Sequence, residues 1–290
     1  MPKNLLVSKQ WYESLGYLVN QTGSAQFHRL LISVLAQITP FEHTVIIAYP
    51  DGQRPVHIFN DLPEEQIAPT LESYFNGAYL LDPFYTACQE HLEEGCYRLR
   101  QLAPDRFYQS EYYRSYYAGT RLHEEVGILV EVAQSLRVVI SLGIRTPEQS
   151  VTSNDLGSLD SCWPLISSIC RTHWGQMDLK VANDFQDDVN GHTFGEPLDL
   201  AFQNFGKDHL SSRECQILQL ILKGHSSKSI AELLHISTDT VKAHRKHIHS
   251  KLQVSSQVEM FSLFLDAISL VPIGSVEDPL SIYYTLHKCP

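Results

Sequence analysis

The chain has 290 residues, with 22 Lys plus Arg against 33 Asp plus Glu, a formal net charge of −11 and 43% hydrophobic residues. That length holds one large domain or two ordinary ones, and the composition is that of a globular protein with a buried core. No run of about 18 uncharged apolar residues argues for a membrane span; Glu13 interrupts the apolar N-terminus, and six scattered cysteines without a C-x-x-C pair fit reduced thiols in a cytoplasm.

In chain order, amphipathic helices are predicted around 6–19 and 24–38. "HTVIIAY" and "PVHIFN" read as strands joined by the turn "PDGQR". Helical patterns follow around 63–76 and 82–93. In "RFYQSEYYRSYYAG", Tyr108, Tyr112 and Tyr116 fall at i, i+4, i+8, with Tyr113 and Tyr117 in a second row. "EEVGILVEV" and "LRVVISLGIR" form a second strand pair, and "SNDLGSLDSCWPLISSICRTHWGQM" closes as a long helix with Pro164 near its first turns. Helices around a small antiparallel sheet indicate an α+β sensor of the PAS or GAF kind over 1–177. A phosphoacceptor receiver is rejected, because its first strand ends in paired acids and residues 1–12 contain no Asp or Glu.

Aromatic stripes at helical spacing ordinarily pack inward. A tyrosine-lined pocket around one acid also suits a small ligand with an apolar or cationic part. On that reading Asp82, Tyr85, Tyr97, Tyr108 and Tyr112 bind the ligand. Asp82 precedes Pro83 and so starts the next helix, where a carboxylate also serves as a plain cap. The adjacent pairs Glu93–Glu94 and Glu124–Glu125 read as solvated. There is no P-loop, G-x-S-x-G, H-E-x-x-H or G-x-G-x-x-G, so no enzyme is expected.

Residues 178–206, rich in Asp, Asn and Gly, read as a linker. The segment 207–270 carries a net charge of +2 and the remainder −13, which argues for modules with different partners. Ser211 or Ser212 caps a first helix with Glu214 in its first turn, Ile217, Leu218, Ile221 and Leu222 lie on one face, and Gly224 ends it. Ile230, Ala231, Leu233 and Leu234 mark a second helix. Ser237 or Thr238 caps a third that turns Val241, Ile248 and Leu252 inward. Val258, Phe261, Leu265 and Ile268 mark a fourth, with Phe264 left to bury against a second copy. This is an all-α helix-turn-helix unit. Lys242, Ala243 and Lys246 face away from the core of the third helix and Arg245 and Lys251 flank it, which fits a major groove of double-stranded DNA. His244, His247 and His249, spaced by three and five, do not share one face and have no acid or Cys near in sequence, so no metal or cofactor is expected. The tail 271–290 contains "SIYYTL", a possible added strand.

The residues "LSSRE", Leu218, Gly224, "SKSIAELLHIS", "TVKAH" and "KLQV" resemble the LuxR-type helix-turn-helix family. The resemblance implies a homodimer on an inverted-repeat operator, with Lys242, Ala243 and Lys246 reading bases and Thr240, Lys228, Arg245 and Lys251 contacting phosphates. Ser229 stands where the family usually has an acid, Gln253 where it has Gly, and Gln257 where Arg often follows. Asp82-Pro83, Tyr74 and Tyr97 resemble the family's autoinducer-binding domain, where the acid binds the ligand amide and a tryptophan stands in place of Tyr97; the upstream W-x-x-x-Y pair is absent. The chain is thus expected to be a regulator responding to a small-molecule effector. The other readings are a ligand-processing enzyme with a DNA-binding tail and a regulator controlled by a protein partner.

Overall fold

In the computed structural model, which describes residues 8–175, 198–272 and 275–287, the two expected strand pairs join into one sheet. The elements are α1 (Lys9–Asn20), α2 (Phe27–Leu35), β1 (His43–Pro50), β2 (Val56–Asn60), α3 (Pro83–Gln89), β3 (Gly95–Arg98), α4 (Glu111–Ser115), β4 (Glu124–Ala133), β5 (Leu136–Ile144) and α5 (Ser153–Trp174). After the undescribed residues come α6 (Asp199–Asn204), α7 (Ser212–Lys223), α8 (Ser227–Leu233), α9 (Thr238–Leu252), α10 (Gln257–Ser269) and α11 (Pro279–His287). The chain divides into two compact units, one built from 1–63, 87–102 and 121–194, the other from 64–86, 103–120 and 195–290.

The first unit is an antiparallel sheet in the order β2-β1-β5-β4-β3. Alternation decides which face is buried: Ile46, Ile128 and Ile140 lie opposite one another across β1, β4 and β5 and enter one core with Trp11, Leu15, Leu31, Leu35 and Ile166 of α1, α2 and α5. The strand β3 has no apolar alternation, and four residues starting in Gly give no signal; pairing with Val126–Leu129 makes it a strand. Pro164 falls in the middle of α5 rather than near its start. The glutamate pairs are not simply solvated. Glu124 meets Arg98 at 3.2 Å and accepts from the Val151 amide, and Glu94 meets Arg171 at 2.7 Å.

The tyrosine stripe is not one helix. Ser110 is extended (φ −71°, ψ 158°) and caps α4 by accepting from the Tyr113 amide, so α4 is only five residues long, with separate turns at Phe107–Gln109 and Tyr117–Thr120. Four helices, α7 to α10, bury Ile217, Ile230, Val241, Ile248 and Phe261 against one another. Leu233, expected inside, is 53% exposed. The end of the expected linker forms α6, whose Phe202 packs edge-on against Phe264 at 5.4 Å; Phe205 does the same at 5.3 Å. Phe264 is therefore spent inside its own chain, and Val258 is the exposed apolar residue of α10. The rest of the linker, up to 197, lies outside the described residues.

"SIYYTL" is helical, not a strand. Buried Asp278 accepts from the amides of Leu280 (2.9 Å), Gly206 (2.8 Å) and Asp208 (2.9 Å), so it starts α11 and ties it to the front of α7. Proline in the first helical position suits that start.

Two histidines in the first unit are held neutral. The Gly23 amide donates to His173 Nδ1 (2.8 Å), and Trp174 Nε1–H donates to His28 Nε2 (3.1 Å), so each ring must offer a lone pair. The His173 ring stacks on Phe27 at 3.8 Å. Burial pushes both pKa values down to about 4, His28 being lowered further by His173 and His57. A lowered histidine pKa means that the unfolded chain takes up protons first, so stability is lost as pH falls from about 6.5 toward 4. Urea titrations of the full chain at pH 7.5 and pH 5 are expected to differ by at least about 2 kcal/mol; a profile flat between those values would count against a neutral pair.

Candidate nucleic-acid interface

Each helix of the C-terminal bundle is set by local chemistry. Ser211 accepts from the Glu214 amide while the Glu214 carboxylate accepts from the Ser211 amide (2.8 Å), a reciprocal cap on α7. Gly224 ends α7 with φ +97°, a left-handed residue that needs no side chain. Ser226 caps α8 and Ser237 caps α9 through the Ser229 and Thr240 amides.

With Val241, Ile248 and Leu252 buried, Lys242, Ala243 and Lys246 are exposed on the opposite side of α9, and Thr240 is exposed in its first turn. Lys242 lies 3.0 Å from Asp239 and Lys228 3.9 Å from Glu232, surface pairs that hold the ammonium groups only weakly. The two flanking residues differ. Arg245 is half-buried, and burial followed by the charge of Arg106 lowers its pKa. Lys251 donates to the buried Glu214 carboxylate at 2.6 Å, so its ammonium is engaged within the bundle.

The bundle brings Glu214 to the recognition helix, which the sequence did not reveal. Glu214, His244 and His247 place ligand atoms within 4.8 Å of one another, a grouping that can hold a metal ion. The Lys251 ammonium and both Ser211 donors converge on Oε2 of that carboxylate, and Oε1 lies 4.0 Å from His247 Nδ1.

The residues singled out for ligand binding are distributed as follows. Asp82 is buried in the second unit. It accepts from the Tyr74 hydroxyl (2.6 Å) and from the Phe84 amide (2.9 Å), so it caps α3. Burial pushes its pKa up to about 6, against the two hydrogen bonds. The Tyr85 hydroxyl donates to Asp199. Tyr112 is buried between Phe107 (5.8 Å) and Tyr116 (5.3 Å), and Tyr108 is 49% exposed against Phe107 and Tyr113. Tyr97 belongs to the first unit, on β3, and its hydroxyl donates to the Glu93 carbonyl at 2.8 Å.

Residues 208–264 match the family model of bacterial regulatory proteins, luxR family. A protein of Aeromonas salmonicida, named for an HTH-type transcriptional regulator in the exeN 3′ region, is 32% identical over 198 residues, spanning 68% of this chain and all of that protein. The chain belongs to the LuxR family. It is similar over 51 residues to the oxygen regulatory protein NreC of Staphylococcus haemolyticus, at 51% identity, covering 18% of this chain and 24% of that protein. The crystal structure of the VqsR LBD domain from Pseudomonas aeruginosa has the same fold as the α/β part, with TM-score 0.52 and 24% identity over 59% of this chain and 99% of that one. The protein is a LuxR-type transcriptional regulator with a helical DNA-binding domain and an α/β domain built on an antiparallel sheet.

The departure from the LuxR pattern at Gln253 has a physical consequence. Gln253 ends α9 in the left-handed region at φ +56°, ψ +36°, where the family's usual glycine carries no Cβ penalty. A left-handed residue with a side chain costs about 1 kcal/mol. Gln253→Gly is therefore expected to raise thermal stability of the full chain by roughly 0.5–1 kcal/mol without altering the α9 surface; scanning calorimetry reads the change, and a drop in Tm would show that the Gln253 side chain is stabilising.

Proposed function

We propose that this LuxR-type regulator binds double-stranded DNA as a homodimer on an inverted repeat, laying α9 in the major groove, and responds to a small-molecule effector through its α/β domain. One observation carries the DNA reading. The exposed side of α9 holds Lys242, Ala243 and Lys246, none of which the core uses. Lysine can donate to guanine edges, and a small residue between two lysines allows close approach. Arg245 and Thr240 lie on α9 beside that face and Lys228 stands exposed in the first turn of α8; all three suit phosphate contacts. Lys251 serves the same role only where its bond to Glu214 yields. A two-fold dimer matches half-sites about one helical turn apart. No described helix is long and apolar enough to cross a membrane. The DNA-binding reading carries with it a proposed cytoplasmic location.

The sensor reading is supported by the fold shared with a domain titled LBD and by Asp82. The sheet of five antiparallel strands with helices packed on one face fits the PAS or GAF kind of sensor. A buried carboxylate held by a hydroxyl and an amide is a natural partner for a polar or cationic ligand group, with Tyr85 and Tyr112 in the same unit. Tyr108, also of that unit, joins the proposed set; Tyr97, on β3 of the first unit, is not carried into it.

Lys242→Ala and Lys246→Ala are each expected to weaken binding to a duplex selected from a random library by roughly 1–3 kcal/mol and to relax base preference at one position. Footprints unchanged in both variants would refute the assigned register. For the sensor, Asp82→Asn keeps an oxygen for the Phe84 amide and removes the charge. Because the folded pKa is raised from 3.8 to about 6, the native chain loses stability as pH rises through that window. Asp82→Asn should abolish that loss, leaving Tm at pH 7.5 equal to or above the native value while the transcriptional response to the host's effector disappears. A variant that responds normally would remove Asp82 from the site.

A further inference from the structure

We propose that Glu214, His244 and His247 form a site for a divalent transition-metal ion, of which Zn²⁺ fits the donors best, and that the ion ties α9 to α7. All three residues belong to the second unit. His244 and His247 are three residues apart on α9, so their rings are neighbours on the helix surface. Glu214 reaches them from the first turn of α7. One ligand atom from each lies within 4.8 Å of the others, and His247 Nδ1 is 4.0 Å from Glu214 Oε1. Bonds of about 2.0–2.2 Å to a tetrahedral ion put its ligands roughly 3.4 Å apart. Side-chain rotations that draw these atoms together by about 1 Å therefore complete three corners of the tetrahedron.

The His244 ring is open to such a partner. Its Nδ1 is buried and has no hydrogen-bond partner among the described residues, a costly state for a polar atom. The third histidine of α9 is differently engaged: His249 Nδ1 lies 3.2 Å from the Val254 carbonyl oxygen. Two of the three histidines thus meet an acid that is remote in sequence. The His247 side chain is 63% exposed, so an ion can enter from solvent and keep a water in the fourth position.

The carboxylate divides its two oxygens. Ser211 and Lys251 donate to Oε2, which leaves Oε1 toward the histidines. Such hydrogen bonds aim a carboxylate as outer-shell partners aim metal ligands. The Lys251 charge works against an incoming cation, so binding relies on the two imidazoles. Mg²⁺ and Ca²⁺ favour oxygen donors, whereas Zn²⁺ takes two imidazoles and a carboxylate readily. The cluster sits on the flank of α9, between its buried side and the face of Lys242 and Lys246. An ion there fixes the roll of α9 without covering that face.

The test uses the full chain, stripped with EDTA and dialysed, and titrated with ZnCl₂ in a calorimeter. His247→Gln, at an exposed position, is compared with His235→Asn, an exposed histidine outside the cluster; His244→Gln gives a second variant. The native chain and His235→Asn should share one Zn²⁺ site per chain that raises Tm, as a ligand of the folded state must. His247→Gln and His244→Gln should each weaken that site at least about tenfold, since even outer-shell changes cost 10–100-fold. Co²⁺ should give visible d–d absorption in the native chain that both cluster variants lose, and MgCl₂ should leave Tm unchanged. Zinc binding of equal strength in the native chain and His247→Gln would assign it to other histidines and overturn the site. A native chain that binds no Zn²⁺, or whose Tm responds equally to Mg²⁺, would overturn it too. None of these measurements involves DNA, so they stand or fall apart from the reading of Lys242 and Lys246.

Discussion

Glu214 stands in the first turn of α7 with its carboxylate buried, where a charge lacking partners would cost several kcal/mol. Its donors come from both ends of the bundle: the Ser211 amide and hydroxyl at 2.8 and 2.9 Å, and Lys251 of α9 at 2.6 Å. Burial opposes ionisation, but these donors outweigh it and hold the carboxyl down to about 2. Because Lys251 is in the last turn of α9, the bond fixes how that helix is rolled against α7. Val241, Ile248 and Leu252 then face inward, and Lys242, Ala243 and Lys246 face out. The candidate DNA surface is in this sense a consequence of solving one desolvation problem.

Asp82 meets the same problem with weaker means. Among the described residues its donors are a hydroxyl and an amide and no cation, so burial prevails and its pKa rises to about 6. One buried acid is locked by charge; the other is left near neutrality of its titration, where a new polar neighbour changes its state at small cost. Carboxylates in these two settings behave differently: the first is held ionised and fixes geometry, and the second has its pKa raised by burial.

Much of the bundle could be read along the chain. Ser211, Gly224 and Ser237 occupy the cap positions that their chemistry predicts, and the apolar spacing places Ile217, Ile221, Val241 and Ile248 inside. These signals work because capping and helical periodicity involve residues within four positions of each other. The paired strands were legible for the same reason. The tyrosine stripe misled: spacing suggested one helix, and the capping chemistry of Ser110 cut it short.

What the sequence by itself determined, then, was the two strand pairs, the helix-turn-helix and its basic face, all set by short-range geometry. Only the tertiary structure decided which partners meet across long stretches of chain. It made a strand of Gly95–Arg98, spent Phe264 on Phe202 and Phe205, joined Lys251 to Glu214, started α11 from Asp278, and seated the loop 104–110 on Gly224. No local pattern encodes these pairings. A buried donor or acceptor must be satisfied by whatever group the fold brings within about 3 Å, and separation along the chain does not limit which group that is.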